Sequence, residues 1–234
     1  MATIETTSKA YVLHIKPLKE TQIVVYFLTE KWGKLSLFIP IKNKHKISHQ
    51  SQLLLFRPLL LTTKYHINRY TFIRVETPTL PFYFSIELQF SGLYLNELCY
   101  YLLLENEPIP ELFTTYHAIL FKFSEKHISS LLRQFELRLY ITLGLLNHLL
   151  LDHQQQPIQA EYRYIWLASE GFIPTKNNGC ILGKYLIEWY HDNLHSDMSL
   201  KQIKFFSKMI LQQALGHKKL KVYQLYKQYR SMTT

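Results

Sequence analysis

A chain of 234 residues that is 47% hydrophobic and 19% charged holds enough apolar side chains for one large or two small cores, which excludes a largely disordered protein. Its 27 Lys and Arg stand against 17 Asp and Glu, a net charge of +10, so a polyanion is the first partner to consider, either nucleic acid or an anionic membrane. Two cysteines, Cys99 and Cys180, without a CxxC pair exclude a disulfide scaffold and a four-cysteine zinc site, and they suit a reducing compartment.

Residues 1–9 are polar and lack the apolar run of a secretion signal, so none is expected. Charge is uneven along the chain: residues 1–80 carry 12 basic and 4 acidic side chains, residues 81–160 carry 4 and 8, and residues 161–234 carry 11 and 5. An acidic, leucine-rich centre between basic ends predicts a helical body with cationic flanks. From Tyr11 to Glu76 short runs rich in Val, Ile, Phe and Tyr predict five strands: Tyr11 to Ile15, Gln22 to Thr29, Lys34 to Ile39, Leu53 to Leu61 and His66 to Val75. Glu30-Lys31-Trp32-Gly33 joins the second to the third, with a glycine free to take the positive φ of a tight hairpin. Five strands in about 70 residues predict a small barrel of OB type; an SH3-like barrel has the same signature.

Thr77-Pro78-Thr79-Leu80-Pro81 interrupts regular structure, because each proline removes a donor and drives the preceding residue out of helical geometry. The expected division is therefore 1–80, a nucleic-acid-binding barrel, and 81–234, an all-α domain with an irregular segment at about 152–183. Within the second part the period rises to about 3.6 and predicts helices over Ser85 to Asn106, Pro110 to Lys126, Ser129 to Leu151 and, less regularly, Leu182 to His191. A last helix is expected from Ser199, capped through Gln202, to just before Gly216. The most apolar stretch, Leu137 to Leu151, carries Arg138 and His148 and is about three residues short of a bilayer span, so it is expected to be buried and no membrane partner is expected.

Lys42, Lys44 and Lys46 alternate in a segment with no apolar pattern to bury, where phosphates can reach them. Trp32, Lys34, Phe38, Tyr26, Arg57, Lys64, Tyr65, Arg69 and Tyr70 interleave rings and cations over the same domain. That mixture suits single strands, whose exposed bases stack on rings while lysines track the backbone; the same rings would also serve to fill a barrel. On the last helix Lys201, Lys204 and Lys208 share a face, and Lys218, Lys219 and Lys221 continue the charge. Such a stripe suits phosphates or an acidic peptide tail, while lysines near a helix C-terminus also favour the macrodipole without any ligand.

Chemistry is not encoded in a recognisable form. Three aspartates, Asp152, Asp192 and Asp197, make no two-metal cluster, and neither GxxxxGK[ST] nor GxGxxG occurs. His191 and His195 sit in HDNLH, which lacks the glutamate base of a metalloprotease helix, and Cys99 lies in an apolar run suited to the core. No enzyme activity, cofactor or metal is expected.

Ala10-Tyr11-Val12-Leu13-His14, Pro17, Glu20, Phe27-Leu28-Thr29-Glu30, Gly33-Lys34, Leu55-Phe56-Arg57-Pro58-Leu59, Ser91-Gly92-Leu93-Tyr94-Leu95-Asn96-Glu97-Leu98, Leu132-Arg133-Gln134-Phe135-Glu136-Leu137, Tyr162-Arg163-Tyr164 and Gly216-His217-Lys218-Lys219-Leu220-Lys221 carry a resemblance to the RecO family of bacterial recombination mediators. It implies an OB fold followed by a helical domain, binding of single- and double-stranded DNA, annealing of complementary strands, docking on the acidic tail of single-strand binding protein (SSB), and work with RecR to help load RecA, in the cytoplasm at the nucleoid. Some members hold zinc with four cysteines, which this chain does not have. DNA contacts are expected from Trp32, Lys34, Lys42, Lys44, Lys46, Arg57 and Lys64, extended by Lys201, Lys204, Lys208, Lys218 and Lys221. Arg133, beside Phe135, is expected to take the tail carboxylate through a bidentate pair. The alternative from another class is an adaptor that docks on SSB or RecR and touches nucleic acid only weakly.

Overall fold

The computed structural model describes residues 4–41, 51–146, 148–176 and 180–233. Residues rich in β-branched and aromatic side chains form five antiparallel strands, β1 (Ile4–Lys19), β2 (Gln22–Thr29), β3 (Gly33–Pro40), β4 (Leu59–His66) and β5 (Arg69–Glu76), in the sheet order β3-β2-β1-β4-β5. The long β1 serves two partners: Ile4 to Ala10 pair with β4, and Ala10 to Lys19 pair with β2. A bulge between Val12 and His14 lets the strand bend as it passes from one partner to the other. Alternate side chains, among them Val12, Val25, Phe27, Leu37, Leu59 and Leu61, bury one apolar core.

The expected five-stranded OB-type sheet is present, but it is open. β3 and β5 are its edge strands, and no ladder joins them among the described residues. Trp32, Tyr70 and Phe72, which belong to the β2–β3 turn and to β5, pack against the core near these edges. The fourth and fifth strands also sit later in the chain than their apolar runs predict. Phe56 takes a φ of +58° and Pro58 lacks an N–H, so β4 begins only at Leu59. Ile67 and Asn68 adopt φ of +48° and +57°, the primed geometry of a two-residue hairpin, so the run from His66 to Val75 is the end of β4, a turn and most of β5 rather than one strand.

Among the described residues six helices follow, α1 (Ile86–Leu102), α2 (Pro110–Lys122), α3 (Ile128–Thr142), α4 (Gly183–Tyr190), α5 (Asp197–Leu215) and α6 (Lys221–Thr233), with short strands β6 (Arg163–Leu167), β7 (Gly171–Thr175) and β8 (Ile181–Leu182) before α4. Packing groups the chain into two compact units, Met1–Phe121 with Leu220–Thr234, and Lys122–Lys219. The prolines at 78 and 81 mark a change of secondary structure; the compact units are grouped by contact and place α1, α6 and nearly all of α2 with the large sheet.

In the first unit α1 and α2 cover the outer face of β1, and α6 packs on α1. The Tyr11 ring lies 5.1 Å from Tyr116 and 5.9 Å from Phe113. Beside the bulge Asn96 Nδ2 donates to the Val12 carbonyl at 3.3 Å, and Tyr116 donates to Asn96 Oδ1 at 2.5 Å, so this buried amide is satisfied at both ends.

In the second unit the residues expected to be irregular form a three-stranded antiparallel sheet in the order β7-β6-β8, so this part of the chain is mainly but not wholly helical. α3 stops at Thr142, well before Leu151, and Gly144 follows with a φ of +72°. Phe206 of α5 sits among Phe172, Trp166 and Trp189, with ring centroids 5.8, 6.2 and 6.3 Å away. α5 starts three residues earlier than expected, because Ser196, not Ser199, is its cap: Ser196 Oγ accepts from the Ser199 N–H at 3.1 Å.

Candidate nucleic-acid interface

Cations and rings converge at one end of the large sheet. Tyr65 and Tyr70 stand directly opposite one another in β4 and β5, next to the Ile67-Asn68 turn, with ring centroids 4.7 Å apart. Trp32, in the β2–β3 turn, lies 5.2 Å from Tyr70, so three rings run in sequence Trp32, Tyr70, Tyr65. The turn that presents Trp32 is held by buried Thr29, whose hydroxyl donates to the Gly33 carbonyl at 2.8 Å and accepts from the Trp32 N–H at 3.0 Å. Gly33 is required there: its φ is +65°, and a Cβ would fall 1.8 Å from the Glu107 carbonyl oxygen.

The ladder grades from core to solvent. Trp32 and Tyr70 are half-buried, while Tyr65 is 48% exposed at the open end. Burial, and then the neighbouring Tyr65, push the Tyr70 phenol up, so it stays neutral and presents a ring rather than a charge. Lys31 is exposed in the β2–β3 turn, His66 and Arg69 are exposed where β4 ends and β5 begins, and Lys64 is half-buried one position before Tyr65, opposite Glu5 in the ladder. Farther along β5, Arg74 is held by Glu76 at 2.9 Å and Glu5 at 3.7 Å. Aromatic faces with cations around them are what a single strand needs: bases stack on rings, and ammonium or guanidinium groups meet phosphates.

The residues singled out from sequence meet different fates. Trp32 and Lys64 lie at this end. Lys34 is only 9% exposed, and its Nζ donates to the Tyr100 carbonyl at 3.0 Å beside that ring, so its charge faces α1. Arg57 is half-buried and its Nε donates to the Thr79 carbonyl at 3.2 Å. Tyr26 packs edge-on to Tyr100 at 4.8 Å as part of the cover over the sheet. Lys42, Lys44 and Lys46 lie outside the described residues.

Lys201, Lys204 and Lys208 are all exposed on the outward face of α5 in the second unit, and Lys218 is exposed beyond its end. Lys221 opens α6 in the first unit; its backbone N–H and that of Val222 donate to the two Glu97 carboxylate oxygens at 3.2 and 3.1 Å. Arg133 and Phe135, expected at a peptide carboxylate, are both buried. Arg133 Nη2 donates to Glu136 Oε1 at 2.5 Å, and Glu136 also accepts from Ser207 of α5. The guanidinium charge is therefore balanced inside the second unit.

Tyr65, Arg69 and Tyr70 are among the interleaved rings and cations of the sequence but outside the contacts expected from it. The signal that would have selected them is Ile67-Asn68 as a two-residue turn, which sets Tyr65 against Tyr70. Among the described residues no group of three or more His, Cys, Asp and Glu is placed to hold a metal ion, and no helix is long and apolar enough to cross a membrane. His191 and His195 flank a turn after α4 and are not on one helix face. Cys99 is fully buried, which pushes its thiol well above the ordinary range and away from thiolate chemistry.

Comparison with known proteins agrees over most of the chain. The family model for the recombination protein O N terminal matches residues 1–77, and that for the recombination protein O C terminal matches residues 84–223. The chain is 28% identical over 220 residues to the DNA repair protein RecO of Coxiella burnetii, covering 92% of this chain and 95% of the relative. It is 28% identical over 228 residues to that of Actinobacillus pleuropneumoniae, covering 95% of each. It is 29% identical over 231 residues to that of Pasteurella multocida, covering 97% of this chain and 96% of the relative.

Proposed function

The chain belongs to the recombination protein O (RecO) family, and from that premise we propose that it serves DNA repair and homologous recombination as a non-enzymatic mediator. In this reading it binds single- and double-stranded DNA, anneals complementary strands, and with RecR helps RecA load onto strands coated by SSB. The observation that carries the reading is the ring sequence Trp32, Tyr70, Tyr65 with Lys31, Lys64, His66 and Arg69 around it.

The proposed mechanism has no bond-making step. Unpaired bases stack on the exposed end of the ladder, each worth about 1–3 kcal/mol, while the surrounding cations displace counterions from the phosphates. Lys42, Lys44 and Lys46 lengthen the phosphate track from the segment after β3. A grip through phosphates and a few stacked bases leaves the remaining base edges open for a second strand, which is what annealing demands. Docking on the SSB tail concentrates the protein on coated strands; Arg133 and Phe135, both buried, do not stand on an exposed face for it.

Anisotropy titration of labelled oligo-dT at increasing salt, followed by annealing of complementary strands pre-coated with SSB, tests the proposal. Salt-sensitive binding and faster annealing support it. Absence of binding at low salt, with retained binding of an SSB tail peptide, would make the chain a protein adaptor instead.

A further inference from the structure

α5 turns a second ring and cation surface outward, on the other compact unit. Its neighbouring Phe205 and Phe206 have opposite fates: Phe206 is wholly enclosed among Phe172, Trp166 and Trp189, whereas Phe205 is 65% exposed. At about 100° per residue, Lys201, Lys204, Phe205 and Lys208 fall within an arc of roughly 100° on the face opposite Ile203, Phe206 and Ile210. Lys201 and Lys208 span about 10 Å of helix at 1.5 Å per residue, with the Phe205 ring between them. The only acid of α5 is Asp197 in its first turn, so no carboxylate of this helix neutralises the stripe.

We propose that this face of α5 is a second single-strand nucleic-acid site, with Phe205 as the stacking ring and Lys201, Lys204 and Lys208 as the phosphate contacts. The inference rests on the reading of the first unit as a single-strand binder and extends it: one chain carries two such sites, one on each compact unit, and holds two strands at once. The face favours a nucleic acid over an acidic peptide. A ring standing out from a helix between two ammonium groups offers a flat stacking surface, whereas a peptide anchor needs a pocket to bury its side chain. Two strands held by one molecule meet at its effective concentration rather than by free diffusion, which accelerates pairing without a second copy of the protein.

The test uses the full chain and a short labelled oligo-dT, with the number of strands bound per chain read by native mass spectrometry and the affinity by anisotropy. The wild type is expected to bind two strands. Phe205→Ala is expected to weaken one of the two by between about 5- and 150-fold, Phe205→Trp to retain it, and Lys201→Ala with Lys208→Ala to lower its log-log salt slope by about 1.4 units. Each variant is at an exposed position, and unchanged thermal melting would verify the fold. Annealing of complementary strands should slow in Phe205→Ala while the other site keeps its affinity. One strand per wild-type chain, lost in Tyr65→Ala and untouched in Phe205→Ala, overturns this inference and leaves the first-unit reading standing. One strand lost in Phe205→Ala and untouched in Tyr65→Ala overturns the first-unit reading and the two-site claim together. Loss of poly-glutamate binding in the α5 variants with single-strand binding unchanged assigns the face to an acidic protein partner and also overturns it.

Discussion

Arg133 and Glu136, one turn apart on α3, form an enclosed ion pair in which Nη2 lies 2.5 Å from Oε1. The pair is tied to α5 through Ser207, whose hydroxyl donates to Glu136 and also meets the Tyr140 hydroxyl at 2.9 Å. Removing one partner leaves a buried charge without its counter-charge, so Arg133→Ala and Glu136→Ala should each cost about 3–5 kcal/mol in urea unfolding. Any loss of SSB-tail binding in Arg133→Ala should track the loss of folded protein. A variant that melts like wild type yet no longer binds the tail would restore Arg133 to the docking surface.

Lys34 makes a parallel case in the first unit. Lys34→Ala removes the donor to the Tyr100 carbonyl, so it should destabilise the fold by about 1–3 kcal/mol. The log-log salt slope of DNA binding should stay as it was. A slope that falls by a full unit would show that the ammonium reaches a phosphate after all.

The run Lys42, Lys44, Lys46 should behave in the opposite way. Replacing all three by alanine should lower the salt slope on single strands by about two units, with little change in the melting temperature. An unchanged slope removes this segment from the phosphate track.

Glu97 caps the start of α6 from α1, and its pKa is raised, first by burial and against the N–H groups of Lys221 and Val222. A carboxyl raised in the folded state favours folding when protonated, below the unfolded value, and that contribution is lost as pH rises through the folded value. Glu97→Gln, which removes the charge but leaves one acceptor oxygen for the two N–H groups, should therefore flatten the pH dependence in the interval above the ordinary glutamate value. Glu97→Ala should lose about 1 kcal/mol by removing the cap. Thermal melts across the acid range distinguish the two, and a Glu97→Gln variant whose stability changes with pH as steeply as wild type in that interval contradicts this sign.

The parts of this structure that a sequence pattern reveals are those governed by local period. Short β-branched and aromatic runs in β2 and β3 and the prolines at 78 and 81 mark the sheet and its end. The break at Gly216 likewise falls where α5 stops. The turn at Ile67-Asn68 is hidden because isoleucine rarely takes a positive φ, so an apolar run reads as continuous strand through it. α6 escapes notice because Val222 is its one buried residue; its tyrosines meet Phe90 and Tyr94 of α1 and leave no apolar stripe to read. At the site, residue type shows that lysines and rings are plentiful, but only the fold sorts them. Lys34 and Arg133 turn inward to a carbonyl and a carboxylate, while Tyr65 and Phe205 turn outward, and nothing local to either position distinguishes these outcomes.

Trp32 permits the most direct measurement, since the other two tryptophans, Trp166 and Trp189, are buried. Titrating the protein with oligo-dT should quench the Trp32 fluorescence, reversibly with added salt, and Tyr65→Ala should shift that titration to about 5- to 150-fold higher strand concentration. Trp32→Phe should abolish the signal. Fluorescence that does not respond to the strand at low salt, while binding is seen by another probe, would contradict the placement of the single strand on this ladder.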